Sequence, residues 1–386
     1  MVEPALRKDR EEAAPSFPAW KQRIEQARKQ LADETDRFLE VLKTVGNPFV
    51  EGSTVYFVYY GPQARQVGVT GEFNQWGTGN QVLPMTPLGD TGFFFRALEV
   101  PAPARLEYKL VVNGNWILDP FCPNSVDNGL GSRNSYFVVG DLTEPPELKE
   151  SRGVPRGKVE ELQLPGQTPG TWRAIHVYVP PGYAESRTQR FPTLYVHDGG
   201  EYLQRARLAT VLDNLIFAAD IPPLIAVMAD PVDRMREYRC YEPYLGFVES
   251  RLLPEIDRRY RTQTQRQGRA VMGASMGGLA AFYVALSLPS LFSRVGGQSS
   301  AFLLEEAKSL ALAERADSKF RFYFDVGRFE PNFIPSHKRL LSVLRGKGNA
   351  CYYQELSGGH NWTNWRAHLK DLLVFLWGRP TGTPAA

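Results

Sequence analysis

The stretch Gly273-Ala274-Ser275-Met276-Gly277-Gly278 places a serine between glycines where an apolar strand, Arg269 to Met272, gives way to a helical run. That order constrains the fold more than any other feature, because a strand can turn so abruptly into a helix only where small residues let the two backbones cross. It is the layout of a nucleophile elbow. A serine hydroxyl is a poor nucleophile alone, and the sharp turn lifts it to where a base can reach it. The same pattern also arises by chance in glycine-rich turns, so its weight depends on what surrounds it.

The surroundings fit. From Trp172 onward the chain alternates strand and helix: Ile175 to Val179, Thr193 to His197, Leu224 to Ala229, Arg269 to Met272, Phe320 to Phe324 and Cys351 to Glu355 read as strands, with helical runs Tyr244 to Tyr260, Met276 to Leu288, Phe333 to Leu344 and Trp362 to Trp377 among them. Such alternation predicts a mostly parallel, doubly wound α/β sheet, with catalytic groups at the carboxyl ends of its strands. Earlier the rhythm differs. Thr54 to Tyr60, Gln66 to Thr70, Phe93 to Leu98, Leu106 to Val112 and Ser135 to Val139 are short β-rich runs separated by turn residues, the spacing of an all-β sandwich. Trp20, Ile24, Ala27, Leu31, Phe38, Leu39 and Leu42 form one apolar helical stripe, expected to dock on a domain. We therefore expect a helical segment over 1–46, a sandwich over 47–141, a Pro-, Glu- and Gly-rich linker over 142–166, within which Val159 to Leu164 has strand character, and the α/β domain over 167–382.

Composition narrows the partners. With 45 basic and 42 acidic residues among 386, the net charge of +3 offers no bias toward nucleic acid. The first residues, MVEPALRKDREEAAPSFPAW, lack an apolar signal core, and no run approaches the ~20 apolar residues of a membrane span, so a soluble, cytoplasmic protein is expected. Cys122, Cys240 and Cys351 are scattered and suggest neither a disulfide framework nor a zinc site. Neither a metal nor a nucleotide motif is present, and no cofactor is expected.

A serine nucleophile needs a base, and five histidines exist. His360 follows the last strand through Ser357-Gly358-Gly359, at a strand's carboxyl end and third in the order Ser, acid, His that α/β-hydrolases use. His176 alternates within a strand, and His337 and His368 fall in helical runs. His197, beside a glycine pair, is expected to line the substrate site. The imidazole needs a carboxylate. Asp325, closing the strand Arg321 to Phe324, is the first choice, with Glu330 in the following loop as runner-up. An oxyanion would be met by the N–H of Met276 and by that of Gly199 or Gly200, between which the sequence does not decide.

From about Trp172 to Trp377 the chain resembles the enterochelin (ferric enterobactin) esterases and the wider esterase group that includes carbohydrate esterases releasing feruloyl or acetyl groups. The matching elements are His197-Asp198-Gly199-Gly200-Glu201, Asp230 to Glu237, GASMGGLAAFYVAL, Gln298-Ser299-Ser300, Asp325-Val326-Gly327 and Gly358-Gly359-His360. The resemblance implies an α/β-hydrolase fold and an acyl-enzyme route, with Ser275 attacking, His360 moving the proton, Asp325 holding the histidine and a small-molecule ester as partner. Arg234, Arg236 and Arg239, just past a strand end, suit an anionic, aromatic ligand such as a catecholate siderophore, although such arginines equally form internal ion pairs. The earlier segments Gly71 to Trp76, Leu106 to Leu110 and Asn113 to Pro120 resemble family-48 carbohydrate-binding modules, an early-set, immunoglobulin-like sandwich. By that resemblance Trp76 and Trp116 would stack on sugars and Lys109 and Asn134 would bond hydroxyls. A module that shapes the catalytic cleft without binding glucan is the preferred expectation. The alternatives to a siderophore-type esterase are a carbohydrate esterase with a working glucan-binding module and a non-catalytic binding protein.

Overall fold

Side chains of the strand Thr54–Tyr60 alternate between two apolar surroundings, as the period of two in an extended chain requires. Phe57 meets the rings of Tyr108 and Phe137 at 4.9 and 5.5 Å, whereas Val58 packs with Phe17, Trp20, Ile24, Phe38 and Leu42 from two helices, Phe17–Gln26 and Leu31–Val45. The computed structural model describes residues 16–26, 31–77, 81–129, 131–166 and 170–378; Ala27 of the expected stripe lies outside them. Two units result, one of residues up to Leu142 with Ser357–Gly359, the other of Thr143–Leu356 with the chain from His360 onward.

In the first unit, antiparallel strands form two sheets. One contains Phe49–Glu51, Thr54–Tyr60, Phe93–Glu99 and Thr86–Pro87; the other is built around Ala104–Val112, between Val67–Gly71 and Arg133–Val139. Val55, Phe57, Val69, Leu106, Tyr108 and Leu110 are fully buried. The helices cover the outer face of the first sheet. Their greasy stripe thus finds the apolar surface it needs.

The second unit is one sheet of eight strands, numbered here β1 Lys158–Pro165, β2 Trp172–Val179, β3 Thr193–His197, β4 Ile225–Ala229, β5 Arg269–Ala274, β6 Arg294–Gln298, β7 Arg321–Gly327 and β8 Ala350–Leu356. The order across the sheet is β1-β2-β4-β3-β5-β6-β7-β8, with β1, β2 and β4 antiparallel neighbours and β4 to β8 parallel. Helices cover both faces, and two clusters of buried side chains lie on opposite sides of the sheet. This is the α/β-hydrolase sheet that the rhythm of the sequence implies. Two details depart from expectation. Residues 158–165, inside the stretch whose composition reads as linker, form β1, one residue longer at each end than the strand character expected over Val159 to Leu164, and pair along their whole length with β2. β6 is hidden in the sequence by Gly296-Gly297, a pair that reads as a turn. There a Cβ on Gly296 would sit 3.0 Å from Leu372 and one on Gly297 would sit 2.2 Å from Ser300 Oγ, so only bare backbone fits the strand. Among the described residues no helix is long and apolar enough to cross a membrane.

Candidate active site

Everything about the elbow follows from crowding between β5 and the helix Met276–Ser287. A Cβ on Gly273 would lie 2.4 Å from the backbone of Gly277, and one on Gly278 would lie 2.3 Å from Ser300 Oγ. Ser275 itself adopts φ 56° and ψ −121°, a conformation an L-residue holds at an expense of ~1–3 kcal/mol and only when its neighbours enforce it. They do. Ser275 N–H donates to Gln298 O at 2.8 Å, and Ser275 O accepts from Gly278, Leu279 and Ala301 N–H at 3.1, 3.2 and 2.9 Å.

The raised hydroxyl meets His360. Ser275 Oγ is 2.8 Å from Nε2, and Nδ1 is 2.5 Å from Glu330 Oε1. A carboxylate can only accept, so Nδ1 carries the proton and Nε2 is left to receive that of Ser275. The ring is clamped between Phe333, at 4.9 Å, and Trp365, edge-on at 5.0 Å. Trp365 is brought there by a helix, Trp362–Ala367, whose first residues are capped by the Asn361 side chain accepting from Asn364 N–H at 2.8 Å.

Asp325, the expected acid, is not on the histidine. β7 runs to Gly327, three residues beyond the end that the apolar pattern gives, so Asp325 lies inside the sheet, paired in register with Gln298 and Gln354. It is completely buried, with Gln298 Nε2 donating to Oδ2 at 3.3 Å. Burial pushes its carboxyl up to about 7, which the positive potential of His368 only partly opposes. The loop that begins where β7 ends carries Glu330 instead. Its Oε2 accepts from Gly327 N–H at 2.7 Å and from Ser299 Oγ at 2.6 Å. The distinguishing signal in the sequence was the length of the strand, which apolar patterning cannot give when a strand's last residues are Asp-Val-Gly.

Other expected residues are also redistributed. His197 does not line an open site: it is 4% exposed, wedged against Tyr238 and Tyr244, and burial lowers its pKa to about 3. As the last residue of β3 it points into the packed layer, where a neutral imidazole is tolerated. Of the arginines, Arg234 makes a bidentate pair with Asp198, 2.8 Å at both oxygens, and Arg239 pairs with Glu305 at 3.0 Å. The Arg236 guanidinium lies 4.5 Å over the Tyr241 ring. Asp198 is buried, and a Cβ on Gly277 would come within 2.9 Å of its Oδ2, so the Arg234 pair braces the elbow from beside. Sequence reasoning missed the most buried pair nearby, Arg173 with Glu237 at 2.8 Å. Gly200 N–H donates to Asp230 Oδ1 at 2.6 Å. The segments after β4 and β6 expose apolar side chains, Val232 and Met235 on the first and Leu303 and Leu304 on the second.

Arg234→Ala strands the Asp198 carboxylate in a buried site. We expect a loss of about 1–3 kcal/mol, less than for a wholly buried pair because Arg234 is partly exposed. Thermal unfolding checks this: the melting temperature should fall by several degrees, and Asp198→Asn in the same chain should recover part of the loss.

In the first unit Trp76 and Trp116 stack at 6.2 Å and 16°, with Trp116 half exposed. Lys109 Nζ donates to Ser132 Oγ at 2.8 Å, while Asn134 is buried with its amide on Glu107 Oε2. Among the described residues no cluster of three or more His, Cys, Asp or Glu could hold a metal ion.

Comparison with known proteins agrees with this architecture. Residues 166–376 match the family model described as Putative esterase, and residues 44–122 match Carbohydrate-binding module 48 (Isoamylase N-terminal domain). The Iron(III) enterobactin esterase of Escherichia coli (strain K12) is 26% identical over 298 residues, 72% of each chain. The endo-1,4-beta-xylanase/feruloyl esterase of Xylanibacter ruminicola is 26% identical over 235 residues, 57% of this chain and 31% of that one. The crystal structure of ferric enterobactin esterase from Salmonella typhimurium superposes with a TM-score of 0.71 at 19% identity, covering 84% of this chain and 93% of that one. The family match spans more than half of the chain, which therefore belongs to the Putative esterase family: it is an α/β-hydrolase-fold esterase preceded by an early-set domain of the carbohydrate-binding-module-48 kind.

Proposed function

We propose that the chain hydrolyses carboxylic esters through an acyl-enzyme on Ser275. The observation that carries this reading is the unbroken contact from Ser275 Oγ through His360 to Glu330 on a strained elbow. Ser275 attacks the ester carbonyl while His360 Nε2 takes its proton, and Glu330 stabilises the imidazolium that results. The imidazolium then returns the proton to the leaving alcohol. Water, activated by the same histidine, releases the acid. The oxyanion is met by Met276 N–H at the start of the elbow helix and by an N–H at the start of the short helix Gly199–Gln204 that follows β3. Gly200 N–H is engaged by Asp230 in this state, so the second donor falls to Gly199.

For the substrate we propose a siderophore-type or related small-molecule ester. The match to the Escherichia coli esterase spans most of both chains, and that to the feruloyl enzyme is confined to part of each, which favours the former over the carbohydrate-ester alternative. Exposed Val232, Met235, Leu303 and Leu304 suit an aromatic acyl group. Because Arg234 and Arg239 are already neutralised by Asp198 and Glu305, charge recognition rests on Arg236 alone of the three. The stacked Trp76 and Trp116, the latter half exposed, support a sugar-binding role for the first unit as the second reading; Lys109 is already engaged by Ser132 and Asn134 by Glu107.

Rates on linear enterobactin, feruloylated arabinose and acetylated xylan, measured side by side, test the choice. We expect kcat/KM on the catecholate ester to exceed the others by at least about tenfold, the discrimination that one well-fitted apolar contact supplies. A faster feruloyl reaction would transfer the assignment to the carbohydrate esterases.

A further inference from the structure

Resting on the reading of Ser275, His360 and Glu330 as the catalytic triad, we propose that Ser299 and Trp365 are positioning residues that aim the Glu330 carboxylate. Ser299 follows β6 and is fully buried, in a left-handed backbone conformation with φ 43°. Few non-glycine residues adopt that region without a reason. Here Ser299 N–H donates to Asp325 O at 2.8 Å, which pins the turn to β7.

The side chain explains what the turn is for. Trp365 Nε1–H donates to Ser299 Oγ at 3.0 Å, and the same oxygen is 2.6 Å from Glu330 Oε2. An indole N–H is only a donor, and a hydroxyl has a single proton. With Trp365 directing its proton at the Ser299 oxygen, the hydroxyl hydrogen goes to Glu330. Gly327 N–H binds that carboxylate oxygen too, at 2.7 Å. Both donors engage Oε2, so Oε1 alone is turned to His360 Nδ1, at 2.5 Å. Glu330 is a longer, more mobile acid than aspartate, with one more rotatable bond to fix. Ser299 and Gly327 fix it, and Trp365 gives Ser299 its direction while its ring edge steadies the imidazole. The acid can thus sit in the loop after β7, several residues past the strand end, and still meet the histidine in a single geometry.

The test is a double-mutant cycle with p-nitrophenyl butyrate. Ser299→Ala should lower kcat by about 10- to 100-fold, the range for losing one hydrogen bond to a charged group, with KM changed less than about twofold. Trp365→Phe, which keeps the aromatic edge but loses the N–H, should lower kcat by a smaller factor. In a Glu330→Gln background the Ser299→Ala change should have no further effect, because a positioning residue acts only through the group it positions. Ser299→Ala activity within twofold of wild type in a folded protein, or an equal fold loss in the Glu330→Gln background, would overturn the proposal. Full activity of Glu330→Gln by itself would instead overturn the triad reading beneath it. If Ser299→Ala fails to fold, Trp365→Phe and its combination with Glu330→Gln decide by the same criterion.

Discussion

Ser275→Ala should reduce kcat on p-nitrophenyl butyrate by at least about 10⁴-fold, the scale on which removal of a serine nucleophile acts when it works as one unit with its base. The loss should fall on kcat, since the hydroxyl contributes to bond formation and little to ground-state binding. The fold should survive: what enforces the turn is the set of backbone bonds to Gln298, Gly278, Leu279 and Ala301, which alanine keeps. The strain survives too, because alanine is no happier than serine at φ 56°. Ser275→Gly should therefore be as inactive as the alanine variant and yet melt higher, a combination that separates a strained catalytic turn from a merely tight one. Turnover above about a hundredth of wild type in either variant would remove the elbow from the mechanism.

How much of this was legible in the sequence depended on whether a feature is local. The elbow is local, since a serine among glycines between a strand and a helix carries its own backbone geometry. Strands such as Thr193–His197 and Thr54–Tyr60 are local too, their apolar runs ending where turn residues begin. The carboxylate that meets His360 is not local. Its identity depends on how far β7 continues, and that is decided by pairing with β6 and β8, which no single-strand pattern reports. β6 itself escaped notice for a related reason: Gly296 and Gly297 are there to admit Leu372 and Phe324, contacts made by distant parts of the chain. The fate of the arginines was likewise set by tertiary partners. Asp198 lies 36 residues before Arg234, and Glu305 lies 66 after Arg239, separations at which sequence alone gives no preference between an ion pair and a ligand site. His197 carried a glycine pair beside it, the correct sign of a loop at the elbow, but the side chain of a strand's last residue can point to either layer.

The two carboxylates at the end of β7 make opposite predictions, and these separate the roles most sharply. Glu330→Gln keeps the shape of the side chain and removes the charge opposite His360. Without it the imidazolium is unsupported and the amide can hold the ring in the wrong tautomer, so kcat should fall by about 10³- to 10⁴-fold. Asp325→Asn should leave kcat within a few-fold, because Asp325 is buried inside the sheet with its carboxylate on Gln298, while His360 Nδ1 is held by Glu330. Its signature is in stability instead. Burial raises the Asp325 carboxyl from its usual value near 3.8 to about 7, so between those values the folded protein holds a proton that the unfolded chain has lost. The stabilisation from that proton is complete below pH ~4 and is lost as pH rises through about 7, where the native state must carry a buried charge. Asparagine never has to ionise. The melting temperature of Asp325→Asn relative to wild type should therefore rise between pH 5 and pH 8, by several degrees if the buried charge is worth a few kcal/mol. Were Asp325 the acid that orients His360, its asparagine variant would be the inactive one and Glu330→Gln nearly unaffected; rates of the two variants at pH 8, with melting curves at pH 5 and pH 8, distinguish the cases in one set of measurements.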